Sequence, residues 1–325
     1  MSKIRLGIVG SGIVVKEFHY PALKELTDLF EITAVTSRTK KNAVALAKTV
    51  GTAQVFDNME EMLKSGLVDA VDLALPVNLN YEFIKNAIKY NVHVICEKPV
   101  AHNLEYGEKI VELSQKTDKV IYIAENYRHF KSFHKAKELI KQDKIGNPLH
   151  LSWIIFNGLD INNPYAKTAW RKMPKHLGGF ISDGGVHNVA SMRLILGEIK
   201  NVKAITKNIS GYLGGYDFIT SVFEFESGAT GHYTVFYSLN SEEEFLIFGD
   251  RGTLKIGYDY LQFNDDLIKF PEETFENSFN YEFIDFYKIV TGQKPNDLGS
   301  PMEALKDLEF FEKALSGKNK QEREQ

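Results

Sequence analysis

Between Ile4 and Tyr122 short apolar runs alternate with helical stretches, and that alternation restricts the fold more than any other feature of the chain. Ile4 to Val9, Ile32 to Thr36, Ala70 to Ala74, Val92 to Cys96 and Val120 to Ala124 read as buried strands. His19 to Leu29, Lys40 to Val50, Tyr81 to Tyr90 and Leu104 to Gln115 read as amphipathic helices between them, with a weaker strand at Ala53 to Phe56 and a short helix at Met59 to Lys64. Parallel neighbours need crossover connections, so the pattern predicts a doubly wound parallel sheet. After Tyr127 the alternation stops. Leu149 to Phe156, Val202 to Thr206, Phe218 to Phe225, Ala229 to Phe236, Glu244 to Phe248 and Gly252 to Ile256 follow one another as strands, which suits a second domain with a largely antiparallel sheet. A chain of 325 residues suits two cores, and the boundary is placed at 126/127, giving domains 1–126 and 127–325.

Composition narrows the function classes. The net charge of −4 gives no basic field for nucleic acid or an anionic membrane. Cys96 is the one cysteine, so no internal disulfide forms. With no signal-like stretch at Met1-Ser2-Lys3 and no apolar run long enough to span a bilayer, the expected location is the cytoplasm. The polar stretch from Lys318 to Gln325 is expected to fray.

The first strand runs into Gly10-Ser11-Gly12-Ile13-Val14-Val15, a dinucleotide fingerprint. Gly10 suits the tight turn and Gly12 the close approach of a pyrophosphate to a helix N-terminus; Val15 stands where a third glycine is usual. A plain glycine turn is the alternative. The second strand ends in Thr36-Ser37-Arg38-Thr39-Lys40-Lys41 with no carboxylate to hold a ribose 2′-hydroxyl. Three cations at a helix start are disfavoured by the macrodipole unless an anion lies among them. NADP(H) is therefore expected over NAD(H), through Ser37, Arg38 and Thr39, with a solvated basic helix start as the alternative. Leu75-Pro76-Val77-Asn78 and Glu97-Lys98-Pro99 also follow strands at their carboxyl ends, where an open parallel sheet binds ligands.

With these motifs in place the sequence resembles the Gfo/Idh/MocA oxidoreductases, the glucose-fructose oxidoreductase and inositol dehydrogenase family. The likeness continues through Ala124-Glu125-Asn126-Tyr127-Arg128, Trp170-Arg171, Gly178-Gly179 and Asp183-Gly184-Gly185-Val186-His187, so nearly the whole chain is covered. The resemblance implies a Rossmann domain followed by an α/β domain with a large, mostly antiparallel open sheet. It implies Lys98, Asp183 and His187 as the catalytic set. It also implies cofactor contacts at Gly10, Ser11, Gly12, Ile13, Val14, Leu75, Pro76, Asn78, Glu97, Lys98 and Asn126, and a substrate side formed by Lys98, Tyr127, Arg128, Trp170, Arg171, Asp183 and His187. The Lys98-Pro99 peptide is often cis in such proteins. A homodimer or homotetramer is implied, with a second subunit covering the sheet, and the terminal helix around Pro301 to Leu315 is expected to pack back on the first domain. Two departures from the pattern are Leu75 in place of a Thr and Asn80 where a His is common.

The resemblance implies hydride transfer between a nicotinamide and a secondary alcohol of a sugar, cyclitol or related polyol, and a physical case for the catalytic set stands beside it. Such an oxidation needs a base for the hydroxyl proton, a role suited to imidazole, which points to His187. The Lys98 ammonium would stabilise developing alkoxide charge, and Asp183 would hold a substrate hydroxyl or orient the histidine. Asp183 as a plain N-cap of a helix Val186 to Leu196 is the competing reading. An Asp and a His four apart also suit a metal, but no third ligand with a sensible spacing is visible, so none is expected. The rival function is a nucleotide-sensing regulatory protein of the same fold. The first strand begins almost at Met1, leaving no arm to clamp a cofactor, so the nucleotide is expected to exchange freely.

Overall fold

The computed structural model describes residues 3–318, so most of the stretch expected to fray lies outside it. The chain divides into two compact units: residues up to Glu125 together with Phe279–Leu305, and Asn126–Ser278 together with the chain from Lys306 on.

The first unit contains a six-stranded sheet in the order β3-β2-β1-β4-β5-β6. Its strands are β1 (Ile4–Val9), β2 (Phe30–Thr36), β3 (Gln54–Phe56), β4 (Ala70–Leu73), β5 (His93–Glu97) and β6 (Ile121–Ala124), all paired in parallel. Crossovers carry α1 (Tyr20–Glu25), α2 (Lys40–Val50), α3 (Met59–Lys64), α4 (Asn80–Lys89) and α5 (Leu104–Gln115). Helices on both faces leave β4 wholly buried, which explains the near-continuous apolar runs. The order reverses between β1 and β4, and ligands of such sheets bind outside the strand ends at that switch point. The helix expected over His19 to Leu29 is shorter than the pattern suggested. A π-helical turn, Val15–His19, precedes α1, and Val15 is fully buried in the core in the place of the third glycine.

The chain returns to this unit late, which the division at 126/127 does not capture. In α9 (Phe275–Val290), Phe279, Phe283 and Phe286 recur at helical spacing and enter the core beside Phe18 and Phe30. The terminal helix α10 (Pro301–Ala314) is shared: the first unit ends at Leu305, and the rest of α10 belongs to the second.

The second unit contains an eight-stranded sheet in the order β14-β13-β12-β11-β7-β10-β9-β8. The strands are β7 (Pro148–Phe156), β8 (Ile199–Lys207), β9 (Phe218–Phe225), β10 (Thr230–Phe236), β11 (Glu244–Gly249), β12 (Thr253–Ile256), β13 (Tyr260–Phe263) and β14 (Asp266–Lys269). All neighbours are antiparallel except β7 and β10. Its helices are α6 (Lys131–Lys141), the short α7 (Ala169–Lys172) and α8 (Phe180–Leu196). Trp153, Tyr233 and Phe245 point into the covered face and are fully buried. Alternation places His150, Ser152, Ile154 and Phe156 of β7 on the other face with His232, Thr234 and Phe236 of β10, all part-exposed. No helix among the described residues is long and apolar enough to cross a membrane.

Candidate active site

At the switch point the turn after β1 is built for close approach. Gly10 has φ +110, and a Cβ there would lie 2.3 Å from the Ala74 carbonyl oxygen, so only glycine fits. Gly12 is exposed, and a Cβ on it would meet nothing within 4 Å, leaving open space over the helix start. Ser11 is buried and donates its hydroxyl to Ser37 Oγ at 2.8 Å, tying this turn to the end of β2. Ile13 and Val14 are half-buried beside it. These features fit a dinucleotide phosphate at a helix N-terminus.

Past the end of β2, Arg38 and Thr39 are exposed. Thr39 stands at the N-cap of α2, and its side chain makes no capping bond. Lys40 pairs with Asp57 at 2.5 Å, so one of the three cations at the helix start is balanced by a carboxylate from the loop after β3. Leu75 and Pro76 are half-buried, and Asn78 is exposed on a one-turn helix, Val77–Leu79.

The lysine turn follows β5. Lys98 is half-buried and its peptide to Pro99 is cis. The Glu97 side chain, expected at the cofactor, is bound by His19: Glu97 Oε1 lies 2.9 Å from His19 Nε2, and His19 Nδ1 lies 2.9 Å from Asp72 Oδ2. Burial opposes charge on His19, but the two carboxylates more than offset it and raise its pKa well above 6.5. Glu282, buried in the same surroundings, is pushed away from its charged form: burial and the nearby Glu97 carboxylate raise its pKa well above the usual carboxylate value. Sequence reasoning missed His19 and Asp72. Asp72 in the middle of the apolar strand Ala70–Leu73 was the available signal, since a buried carboxylate needs a partner.

In the second unit α8 starts at Phe180, six residues before the expected Val186. Gly178 and Gly179 enter it with φ +74 and +53, and the Asp183 N–H donates to the Gly179 carbonyl at 3.1 Å. Asp183 is therefore inside the first turn and not an N-cap, and the spacing of four puts His187 on the same side of the helix. Arg171 Nε reaches Asp183 Oδ2 at 2.6 Å, and the guanidinium stacks on Trp170 and Tyr165 with its carbon 4.1 and 4.9 Å from the ring centroids. Tyr127 stacks on the His187 ring at 4.5 Å and 20°. The glycine pair lets tyrosines approach: a Cβ on Gly184 would lie 2.3 Å from the Tyr237 hydroxyl, and one on Gly185 would lie 3.0 Å from that of Tyr233. Tyr233 donates to Asn188 Oδ1 at 3.1 Å. Burial, and after it Tyr233 and the Asp183 charge, raise the Tyr237 pKa, so this hydroxyl stays protonated. Tyr233 and Tyr237 were also missed, although the aromatic run Gly231 to Tyr237 contained them.

Two expected site residues are committed elsewhere. Arg128 is buried and pairs with Asp307, which also binds Arg193 Nη1 at 2.5 Å, so this guanidinium is structural and does not line a substrate surface. Asn126, expected at the cofactor, is buried and donates from Nδ2 to Ser278 Oγ at 2.7 Å. Both partners lie more than 150 positions away, beyond the reach of a sequence motif.

Residues 4–125 match the oxidoreductase family with an NAD-binding Rossmann fold, and residues 133–255 match the GFO/IDH/MocA C-terminal domain. The chain belongs to the Gfo/Idh/MocA oxidoreductase family. A crystal structure of an oxidoreductase from Thermotoga maritima superposes with a TM-score of 0.94 at 56% identity, covering 97% of this chain and 96% of the other. The uncharacterised protein YMR315W of Saccharomyces cerevisiae is 31% identical over 95% of this chain and 94% of its own length. The myo-inositol 2-dehydrogenase of Thermotoga maritima is 25% identical over 70% of this chain and 67% of its own. The fold and the family expected from the sequence are thus the ones found.

Proposed function

We propose that this family member is an NADP(H)-preferring dehydrogenase or reductase acting on a secondary alcohol or carbonyl of a sugar, cyclitol or related polyol. The observation that carries the reading is the first turn of α8, where Asp183, held by Arg171, precedes by one turn a histidine whose ring packs on Tyr127. The dinucleotide, held by Gly10, Ser11, Gly12, Ile13 and Val14, supplies the hydride acceptor or donor. His187 takes the hydroxyl proton during oxidation and returns it during reduction. The Lys98 ammonium donates a hydrogen bond to the reacting oxygen and stabilises its developing charge. Asp183 accepts a hydrogen bond from a substrate hydroxyl. Similarity to a myo-inositol dehydrogenase supports a polyhydroxylated substrate.

Preference for NADP(H) is supported by the absence of a carboxylate from Ser37 through Lys41 at the end of β2 and by the exposed Arg38. Ser37→Asp is expected to reverse the preference, read as the relative thermal stabilisation by NADPH and NADH at matched concentrations, since a ligand that binds only the folded state raises its melting temperature. Unchanged relative stabilisation would remove the assignment. The half-exposed face of the eight-stranded sheet, with Phe156 stacked on Phe236 at 5.1 Å and Val222 and Ile205 61% and 60% exposed, is the surface we assign to a second copy of this chain. Sedimentation is expected to give a dimer or tetramer in wild type and a monomer in Val222→Lys.

A further inference from the structure

Within the first unit, contacts from two directions converge on Glu97-Lys98-Pro99. Asn80, the first residue of α4, is 1% exposed, and its Nδ2 donates to the carbonyl oxygens of Glu97 at 3.1 Å and Pro99 at 3.0 Å. These are the two residues flanking Lys98. Two carbonyl acceptors fix the orientation of the amide, because only its nitrogen has protons to give. From the other direction, the fully buried His19 holds the Glu97 side chain through Nε2 and Asp72 through Nδ1. Facing a carboxylate at each ring nitrogen, the imidazole uses both N–H groups as donors, consistent with its raised pKa. His19 also closes the π-helical turn that follows Gly10 and Gly12. One side chain therefore joins the dinucleotide turn, the middle of β4 and the residue before the lysine.

We propose that Asn80 and His19 are positioning residues for Lys98, Asn80 by fixing the backbone on both sides of it and His19 by anchoring the adjoining Glu97 to the helix that starts at the dinucleotide turn. The inference rests on the reading of Lys98 as the group that stabilises the reacting oxygen. One small side chain thereby brings two N–H donors to the turn, where a neutral imidazole would bring one. A displacement of about 1 Å at a reacting group can cost about a hundredfold in rate, so this pinning bears directly on turnover.

The test observes the lysine itself. Reductive methylation with ¹³C-formaldehyde labels the lysines while keeping their charge, and the Lys98 signal is identified by its loss in Lys98→Arg. In Asn80→Ala with NADPH present, that signal is expected to move toward the position shared by exposed lysines. In Asn80→His, which restores one donor, it is expected to fall between Asn80→Ala and wild type. His19→Gln, which cannot bind both carboxylates in the same geometry, is expected to displace the same signal. Turnover of NADP⁺ with a polyol panel is expected to fall about tenfold to a hundredfold in Asn80→Ala, with stabilisation by NADPH retained. A Lys98 signal at the wild-type position in folded Asn80→Ala or Asn80→His would overturn the role of Asn80, and the same result in His19→Gln would overturn that of His19. Undiminished turnover in Lys98→Met would instead refute the underlying reading, leaving the signal positions to decide positioning alone.

Discussion

Lys98 and His187 are held by opposite means. Lys98 sits on a turn, and what fixes that turn is polar: an amide clamp on two carbonyls and a buried histidine between two carboxylates. His187 sits on a regular helix, where packing contributes to its placement: a tyrosine face lies against its ring and glycines admit two further tyrosines to the helix surface. That helix also carries a polar tie, from the partly buried Arg171 to the buried Asp183. A turn has no ladder of its own hydrogen bonds, so its backbone groups must be satisfied by side chains. A helix satisfies its own, so side-chain shape is left to decide placement. The lysine turn should therefore respond to changes of charge and pH, and the histidine helix to changes of volume.

Breaking the polar side should cost most. Asp72→Ala leaves His19 buried with one carboxylate fewer, and removing one partner of a buried pair costs about 3–5 kcal/mol. Denaturant unfolding should show that loss in the first unit, whereas a loss of a few tenths would mean that the pair contributes little. Next, Gly184→Ala pushes a methyl group toward the Tyr237 hydroxyl and should cost about 1–3 kcal/mol by overpacking. Gly184→Ala combined with Tyr237→Phe is expected to recover part of it, because that hydroxyl oxygen is the nearest of the Tyr237 atoms in the way, with two ring carbons at 2.8 and 2.9 Å behind it. No recovery would mean that the clash is relieved elsewhere.

The subtlest and most diagnostic change is in pH dependence, where two histidines of the first unit have opposite signs. His19 binds its proton more tightly when folded than when unfolded, so its contribution is complete below about pH 6.5 and is lost as pH rises through its higher folded value. His93 accepts the Val120 N–H at Nδ1, and burial, with Lys119 nearby, lowers its pKa to about 4. Its contribution is present above about pH 6.5 and is lost as pH falls toward 4. His19→Gln should therefore flatten the alkaline limb of the stability profile and His93→Gln the acid limb. Identical profiles for the two variants would contradict the assignment of a charged and a neutral imidazole.

The same contrast decides how much was legible in the sequence. Gly10, Gly12 and Lys98 stand at strand ends, where short motifs report backbone geometry directly, and Asp183 and His187 lie four apart on α8 as their spacing suggests. The strands β1, β7 and β9 follow from local apolar periodicity within a residue of their bounds. What escaped depends on distant partners. Arg128 looks like a site residue until Asp307 is in place, and the aromatic stripe of α9 shows a buried face without showing that it belongs to the first unit. The hairpin β13–β14 was missed because β14 is largely exposed and shows no apolar alternation, although Asn264 at its turn has φ +51. The early start of α8 was hidden by Gly184 and Gly185, which lie inside the helix, while Gly178 and Gly179 set its entry.

The proposed hydride transfer, with the roles assigned to His187 and to Lys98, is best tested by the growth of reduced-nicotinamide absorbance when NADP⁺ or NAD⁺ is mixed with a panel of cyclitols, alditols and aldoses. Wild type is to be compared with His187→Ala and Lys98→Met, each verified to keep its stabilisation by the dinucleotide. Wild type is expected to turn over at least one member of the panel, His187→Ala to lose about a hundredfold or more, and Lys98→Met to be impaired as well. Turnover at the wild-type rate in either variant would contradict the assigned chemistry.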